Sequence, residues 1–303
     1  MSTTLAPPPS PVPDAAPARS KILRRVLVAV LVLAGVSLVF VGLLILSWMI
    51  DETHFDRPSA AFDDLEAQIA SLPTVEGVDK ERWVEAPTFS SPTSWMSVTV
   101  GEAGLPALLD AACSTEYPDP VTWSVRVVTP TAAEVSLHAT SFPATAVGCP
   151  DFGFDAEPLV AEIDRVAPGI HVQPSTWDDS RFALVALDDG MPAGYAHLLP
   201  LVEHADELLA AAGLDAARAV EINSMNLGMI LPQGESADYL ALLSELADEH
   251  QVISFWADGD GAQVDGIDKV QIVAPESEHA AIERAIRSSS LHIADLPVRF
   301  IEQ

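Results

Sequence analysis

The sequence predicts an α+β fold, in which a single N-terminal transmembrane helix precedes an extracytoplasmic region of repeated helix–strand–strand units. Three observations predict this class. The chain of 303 residues contains one charge-free apolar run, amphipathic stretches that recur every 38 to 53 residues, and pairs of short alternating stretches between them. Hydrophobic residues make up 49% of the chain, which excludes a wholly disordered protein because such chains lack apolar side chains to bury.

Residues 26–50 form the apolar run, and 17 of these 25 residues are Val, Leu, Ile or Phe. A helix of this length extends about 37 Å, whereas the hydrocarbon core of a bilayer is about 30 Å thick. The run has no polar face, which argues against a core helix of a soluble domain. We therefore predict a transmembrane helix over 26–50 that lies in the lipid bilayer.

Charged residues on either side of the run predict its orientation. Four basic residues precede it and three acidic residues follow it: Arg19, Lys21, Arg24, Arg25, Asp51, Glu52 and Asp56. Cytoplasmic flanks of membrane helices are enriched in Lys and Arg. The sequence thus predicts a single-pass protein of the cell membrane, with its N-terminus in the cytoplasm and its C-terminal region outside. Six prolines among the first 20 residues predict a disordered tail with a basic flank over 1–25.

A cleaved signal peptide is the alternative to an anchor. Signal peptides carry an apolar region of about 7–15 residues and a cleavage site made of small residues. The run in this chain is longer, and residues 47–51, Ser-Trp-Met-Ile-Asp, match that cleavage pattern poorly. We therefore expect the helix to be retained as an anchor.

Amphipathic helices and short strands alternate after the anchor. The predicted helices begin near residues 59, 104, 157, 197, 235 and 276, and the clearest are Leu198–Ala212 and Tyr239–His250. Alternation of apolar and polar residues predicts the strands Trp95–Val100, Val121–Val128, Glu134–Ala139, Arg181–Leu187, Ala219–Ser224, Gln251–Trp256, Lys269–Val273 and Val298–Ile301.

Units of one helix and two strands favour ferredoxin-like layers with antiparallel-rich sheets and helices on one face. The region after the anchor, residues 51–303, is longer than a typical domain. We therefore predict two extracytoplasmic α+β domains, 51–150 and 151–303.

The two cysteines of the chain, Cys113 and Cys149, both follow the anchor. Disulfides form and persist in oxidising compartments outside the cytoplasm. We therefore predict a disulfide between them, and the alternatives are two buried thiols or one reactive thiolate.

The charge of the chain bears on its partners. It carries 15 basic and 44 acidic side chains, which gives a formal net charge of −29. Proteins that bind nucleic acids neutralise phosphates with clustered Lys and Arg. We therefore expect no nucleic-acid partner.

Familiar catalytic and metal-binding motifs are absent from the sequence. Ser224-Met225-Asn226 matches the S-x-N element of penicillin-binding proteins by chance, because the S-x-x-K and K-T-G elements of that chemistry do not occur. His197 and His204 could share a helical face, but two ligands do not complete a zinc site. The sequence therefore predicts no catalytic residue, no cofactor and no metal ligand.

The acidic, glycine-rich segment 258–268 has two interpretations. Its alternating carboxylates could surround Ca²⁺, although Ala262 and Gln263 stand where an EF-hand loop needs an oxygen ligand and the sharp-turn glycine. Asp and Gly are also typical of a plain hairpin turn between two strands. We favour the plain turn.

These features favour a non-catalytic binding module of the cell envelope, which is anchored in the membrane and contacts a protein or the cell wall outside the cytoplasm. The alternative is a membrane-anchored extracytoplasmic hydrolase that uses dispersed carboxylates, since acid–base sites of this kind leave no sequence motif. A pocket that holds two carboxylates with perturbed titration would favour the hydrolase.

Overall fold

The computed structural model describes residues 18–50, 54–85, 91–114, 117–139, 149–177, 181–187, 194–257 and 267–301. These residues contain eight α-helices and twelve β-strands. The chain divides into two compact units: one comprises Met1–Phe55 with Val84–Ser91, and the other comprises Asp56–Trp83 with Pro92–Gln303. Residues 1–17 of the predicted tail lie outside the described residues. Its remaining residues, 18–25, form the first turns of the first helix.

Helix α1 spans Ala18–Ile50. Within it, Arg24–Ser47 has a mean hydropathy of 3.0 and is 0% buried, so this helix is long and apolar enough to cross a membrane. A signal sequence near the N-terminus meets the same criteria. The predicted apolar helix over 26–50 is therefore present, and it begins earlier than the apolar run does.

The remaining elements alternate between helices and strands along the chain. They are β1 (His54–Asp56), α2 (Ala60–Ala70), β2 (Val75–Glu85), β3 (Thr93–Gly101), α3 (Leu105–Ser114), β4 (Val121–Val128), β5 (Glu134–Ala139), α4 (Ala156–Val166), β6 (His171–Thr176), β7 (Phe182–Ala186), α5 (Leu199–Glu203), α6 (Ala205–Ala211), β8 (Val220–Asn223), β9 (Leu227–Leu231), α7 (Ser236–His250), β10 (Ser254–Ala257), β11 (Val270–Val273), α8 (His279–Ser288) and β12 (Val298–Phe300). The twelve strands form one sheet whose order is the chain order.

Parallel and antiparallel pairings alternate across this sheet. Strands with no helix of the described residues between them are antiparallel, as in β2–β3, β4–β5, β6–β7, β8–β9 and β10–β11. Strands that flank a helix are parallel, as in β3–β4, β5–β6, β7–β8, β9–β10 and β11–β12. A reverse turn inverts the strand direction, whereas a helical crossover returns the chain in the same direction, which explains the alternation.

This topology corrects part of the prediction. Units of one helix and two strands do recur, but ferredoxin-like layers are not confirmed, because a split βαβ unit inserts another strand between those that flank its helix, whereas β3 pairs directly with β4. The sheet is also evenly mixed rather than antiparallel-rich. Strands β5 and β6 pair across the predicted boundary at 150/151, and the division into two domains stays a prediction.

Several predicted elements differ in detail from the observed ones. The predicted helix Leu198–Ala212 is two helices, α5 and α6, because His204 leaves helical geometry with φ −106° and ψ 21°. The predicted strand Gln251–Trp256 starts later, since Gln251 ends α7 in the left-handed region with φ 54°. Alternation does not predict β2, β6 or β9, and β9 (Leu227–Leu231) is apolar at nearly every position.

One side of the sheet, which we call the covered face, is apolar from β3 to β11. The register places Val98 beside Val125 and Val125 beside Leu137, so these side chains share one side. The buried side chains of this face are Met96, Val98, Val100, Val121, Trp123, Val125, Val127, Val135, Leu137, Ala139, Val172, Phe182, Leu184, Ala186, Val220, Ile222, Leu227, Met229, Leu231, Phe255, Ala257, Val270 and Ile272. The apolar stripes of helices α2 to α8 belong to the same core cluster, so hydrophobic burial joins the sheet to its helices.

The opposite side, which we call the open face, is largely polar and half-exposed. Over β3 to β6 it carries Trp95, Ser97, Thr99, Thr122, Ser124, Arg126, Glu134, Ser136, His138, His171 and Gln173. A sheet that packs its helices against one face can leave the other in contact with water. Polar side chains of neighbouring strands are therefore held side by side on this face by the register of the sheet.

Cys113 lies in the last turn of α3, and it meets Cys149 at disulfide distance, with Cα atoms 4.1 Å apart. The predicted pair is therefore brought together by the fold. The two residues are 36 positions apart in the chain, so the bond would tie the end of α3 to the segment before α4.

Breaking this disulfide is expected to destabilise the protein. On the chain-entropy model, a cross-link that closes a loop of this size contributes about 3–4 kcal/mol to the free energy of unfolding. Urea unfolding of the double variant Cys113→Ser/Cys149→Ser measures the loss. The reduced wild-type protein serves as the control and should match the variant. Equal stabilities of oxidised wild type and variant would contradict a structural disulfide.

Candidate functional site

Four polar side chains form a cluster on the open face of β4, β5 and β6. Arg126 lies opposite Ser136, and Glu134 lies opposite His171, in the register of the sheet. Nε of Arg126 donates to Oε2 of Glu134 at 2.6 Å, and the Ser136 hydroxyl lies 2.8 Å from Nε2 of His171. The other ring nitrogen of His171, Nδ1, is 3.8 Å from Oε2 of Glu134. All four side chains keep partial access to solvent.

This cluster has the composition of a serine, histidine and acid triad but lacks one of its interactions. In such triads the carboxylate accepts a hydrogen bond from the imidazole and thereby selects its tautomer. The distance of 3.8 Å between His171 and Glu134 exceeds hydrogen-bond length. The Glu134 carboxylate accepts hydrogen bonds from Arg126 instead. The cluster therefore offers donors and acceptors to a ligand rather than an activated nucleophile.

An indole ring marks the open face further along the sheet. Trp256 on β10 pairs with Gly228 on β9 and with Gln271 on β11. A Cβ atom at position 228 would lie 2.7 Å from Cδ1 of Trp256, so the indole lies against the bare backbone of Gly228. Asn223 of β8 is the register partner of Gly228 on its other side. A half-buried aromatic ring thus lies in one cross-strand row with two amide side chains.

An ion pair lies on the strands between these two features. Nη1 of Arg181 is 3.1 Å from Oε2 of Glu221, and the two side chains are only 17% and 12% exposed. Partial burial strengthens the attraction between opposite charges because the surroundings screen it less than bulk water does. The pair therefore helps to hold this part of the open face in a defined shape.

A second candidate site lies where β3 ends. A cavity of about 410 Å³ is lined by Glu102, Ala103, Leu105, Pro106, Pro130 and Glu157. Glu102 immediately follows β3, and burial together with the negative charge of Asp164 raises the pKa of its carboxyl group. A carboxyl group of this kind can keep a proton closer to neutral pH than an ordinary glutamate does.

Asp164, near the end of α4, has the opposite environment. Burial alone would raise its pKa, but hydrogen bonds from Thr129 and Thr131 outweigh burial and lower it. The backbone N–H and the hydroxyl of Thr131 both donate to Oδ1 of Asp164, at 3.0 and 2.6 Å. Two neighbouring carboxyl groups whose surroundings separate their pKa values are typical of an acid and a base. Asp164 also has a structural role, because it ties α4 to the turn between β4 and β5.

The backbone beside Glu102 is strained. Thr74 has φ 68°, a conformation that a β-branched residue rarely adopts. Its hydroxyl occupies the space where a Cβ atom of Gly104 would be, so position 104 requires glycine. Strain of this kind persists only where surrounding contacts impose it, and it is enriched near functional sites.

The residues singled out from the sequence have structural roles or lie elsewhere. The hydroxyl of Ser224 accepts hydrogen bonds from the backbone N–H groups of Asn226 and Leu227, so it shapes the turn between β8 and β9. His197 lies before α5, and His204 lies at the break between α5 and α6. Most of the acidic segment 258–268 falls outside the described residues, so its two interpretations stay open.

Sequence reasoning missed the residues of both candidate sites. The alternation in β5 does place Glu134 and Ser136 on one face, but His171 joins them only through β6, which the sequence does not predict. Glu102 and Asp164 are separated by two strands and belong to no motif. A polar residue directly after a strand was the only sequence signal for Glu102.

Comparisons with known proteins identify no relative. No protein-family model, no curated protein and no solved structure matches the chain. Function is therefore inferred from the geometry of the chain itself.

Substitutions of the two carboxyl groups are expected to change stability in opposite directions near pH 7. The raised pKa of Glu102 means that its stabilising contribution is lost as pH rises through the folded pKa, so Glu102→Gln should stabilise. The lowered pKa of Asp164 means that its contribution is present above the unfolded pKa and is lost as pH falls through the folded value. Asp164→Asn should therefore cost about 1 kcal/mol near pH 7, because a neutral amide oxygen accepts weaker hydrogen bonds from Thr131 than a carboxylate does.

Urea unfolding of both variants near pH 7 and about pH 3 measures these effects. At the lower pH the effect of Glu102→Gln should shrink, because Glu102 is then protonated in both states. The effect of Asp164→Asn should also be smaller than at pH 7, because the unfolded state takes up its proton before the folded state does. Two variants that shift stability in the same direction near pH 7 would contradict this interpretation.

Proposed function

We propose that the chain is a single-pass membrane protein whose extracytoplasmic region is a non-catalytic binding module, with the open face as its binding surface. The observation that carries this proposal is the row of Asn223, Trp256 and Gln271 on the open face. A surface that combines an aromatic ring with fixed polar groups is typical of a ligand-binding site. The cluster of Arg126, Glu134, Ser136 and His171 adds further donors and acceptors on the same face.

Four features support the membrane anchor and its orientation. Helix α1 is apolar enough to cross a bilayer, basic residues precede its apolar part, and acidic residues follow it. After the anchor come 11 basic and 43 acidic side chains. Cys113 and Cys149 also lie on that side of the anchor at disulfide distance, which suits an oxidising compartment.

The chemistry of the open face favours an uncharged saccharide of the cell wall as the ligand. The CH faces of a sugar ring stack on an indole such as Trp256, and sugar hydroxyls pair with amides such as Asn223 and Gln271. The strongly acidic chain would repel an anionic polymer, so neutral saccharide is the better match. If the following experiment rejects saccharide binding, a protein becomes the proposed ligand of the same face.

Full-length protein in detergent is expected to co-sediment with purified cell-wall sacculi. Trp256→Ala removes the stacking ring, and Gly228→Ala displaces it, because the added Cβ would lie 2.7 Å from the indole. Each variant should weaken binding about tenfold, which corresponds to about 1.4 kcal/mol. Binding isotherms from the sedimented fraction give the affinities.

Trp177→Ala is the control, because Trp177 is an indole that is 49% exposed and follows β6, four strands away from Trp256 in the sheet. Its affinity for sacculi should equal that of wild type. Near-ultraviolet circular dichroism checks that each variant is folded. Wild-type protein that stays in the supernatant, or equal losses in Trp256→Ala and Trp177→Ala, would reject saccharide binding on this row.

A membrane-anchored hydrolase is the second candidate. It is favoured by Glu102, which lines a cavity of about 410 Å³ and whose pKa is raised by burial and by the negative charge of Asp164. In that function Glu102 would donate a proton to the leaving-group oxygen. A second carboxylate would either activate the attacking water or attack the substrate itself as the nucleophile. Sacculi incubated with protein distinguish the two functions. Release of soluble fragments by wild type but not by Glu102→Gln would favour the hydrolase over the binding module.

The proposed topology predicts that protease added to intact cells removes a C-terminal epitope tag, because residues after the anchor lie outside. A cytoplasmic protein serves as the control for cell integrity. The mass of the mature protein reports whether α1 is retained, since a cleaved signal sequence would shorten the chain. An epitope that resists protease until the cells are lysed would invert the topology.

A further inference from the structure

Two carboxylates and an imidazole converge at the end of α7, away from the residues discussed so far. Glu245 and Glu249 are one helical turn apart, and His250 is the last residue of the helix. One ligand atom from each of the three lies within 4.8 Å of the others. Such a set offers two oxygens and one nitrogen to a metal ion.

The imidazole of His250 is held in the orientation that a metal ligand needs. Nδ1 of His250 lies 2.9 Å from Oε2 of Glu278, so this nitrogen donates to the carboxylate. In the neutral ring the lone pair is then on Nε2, which is 3.9 Å from Oε1 of Glu245 and thus beyond hydrogen-bond length. Metal-binding histidines commonly donate their other N–H to a carboxylate in this way.

Glu278 comes from a different element than the three ligands, because it immediately precedes α8. The side chain of His250 is only 15% exposed, so the ring has little freedom to turn away. Orientation of the ring therefore depends on the packing of two helices rather than on α7 alone. This is the observation that separates the cluster from ordinary acidic residues on a helix surface.

The electrostatic setting combines charges of both signs, because Arg284 and Arg287 of α8 line the neighbouring cavity beside the carboxylates of α7. The last carbonyl groups of a helix carry partial negative charge, and α7 ends at this point. Glu245 and Glu249 add two negative charges, which match a divalent ion. The two glutamates are exposed, so rotation of their side chains can shorten the remaining distances to those of metal bonds.

Glu245 and His250 also line a cavity of about 610 Å³, together with residues of α8 that include Arg284, Arg287 and Ser288. A metal ion held by these three side chains would have a fourth coordination position open to this cavity. Tetrahedral zinc with three protein ligands keeps a water molecule at its fourth position.

We propose that Glu245, Glu249 and His250 bind a divalent ion of the zinc class, with Glu278 as the residue that positions His250. Imidazole together with carboxylates suits zinc, whereas calcium takes six to eight oxygen ligands, more than this cluster supplies. The site is independent of the open face, so it stands whether or not that face binds saccharide.

Competition with a chromogenic chelator tests the proposal on full-length protein in detergent at neutral pH. Wild type should bind one Zn²⁺ per chain and should bind Ca²⁺ far more weakly. His250→Gln and Glu249→Gln should each weaken Zn²⁺ binding at least tenfold. Glu278→Gln leaves all three ligands in place and should still weaken binding by about 10- to 100-fold, because the ring loses its orientation.

Glu235→Gln is the matched control, because it removes the carboxylate that lies 3.3 Å from Nδ1 of another histidine, His292. Its affinity for Zn²⁺ should equal that of wild type. A melting temperature that Zn²⁺ raises in wild type but not in His250→Gln would support the site in the folded protein. Failure of wild type to bind Zn²⁺, or equal affinities of wild type and His250→Gln, would show that His250 only forms ion pairs with Glu278 and Glu245.

Discussion

Hydrophobic burial on one side of a continuous sheet is the constraint on which the rest of this structure depends. From β3 to β11 nearly all side chains of the covered face are apolar and buried against the helices, and Ser94 is a buried polar exception. Because side chains alternate with a period of two, a shift of one residue in any strand would turn its apolar side chains to water. Burial of one face therefore determines the register, and the register in turn places every residue of the open face.

The polar clusters of the open face follow from that register. Glu134 meets His171 only because β5 and β6 pair in parallel, and Arg126 meets Ser136 only because β4 and β5 pair antiparallel. Trp256 can lie against the sheet because glycine occupies the neighbouring position 228. These contacts are consequences of the core rather than of any local motif, and they explain how a chain without catalytic signatures can present an organised polar surface.

The three sites occupy different parts of the architecture and suit different chemistry. The open face offers area, an aromatic ring and fixed donors, which suit a large neutral ligand. The end of β3 offers a cavity and two carboxyl groups with separated pKa values, around Glu102 and Asp164. The end of α7 offers an oriented imidazole and two carboxylates, which suit a cation.

The sequence by itself determined the apolar helix over 26–50, the starts of the main helices, and strands such as Val121–Val128 and Glu134–Ala139, because these depend on periodicity within one segment. It did not determine strand order, since local patterns carry no information about which strands pair. Only the tertiary structure decided that His171 lies beside Glu134, that Cys113 meets Cys149, and that Glu278 orients His250. Each of these contacts joins residues far apart in the chain, and burial of the shared core, rather than any short stretch, brings them together.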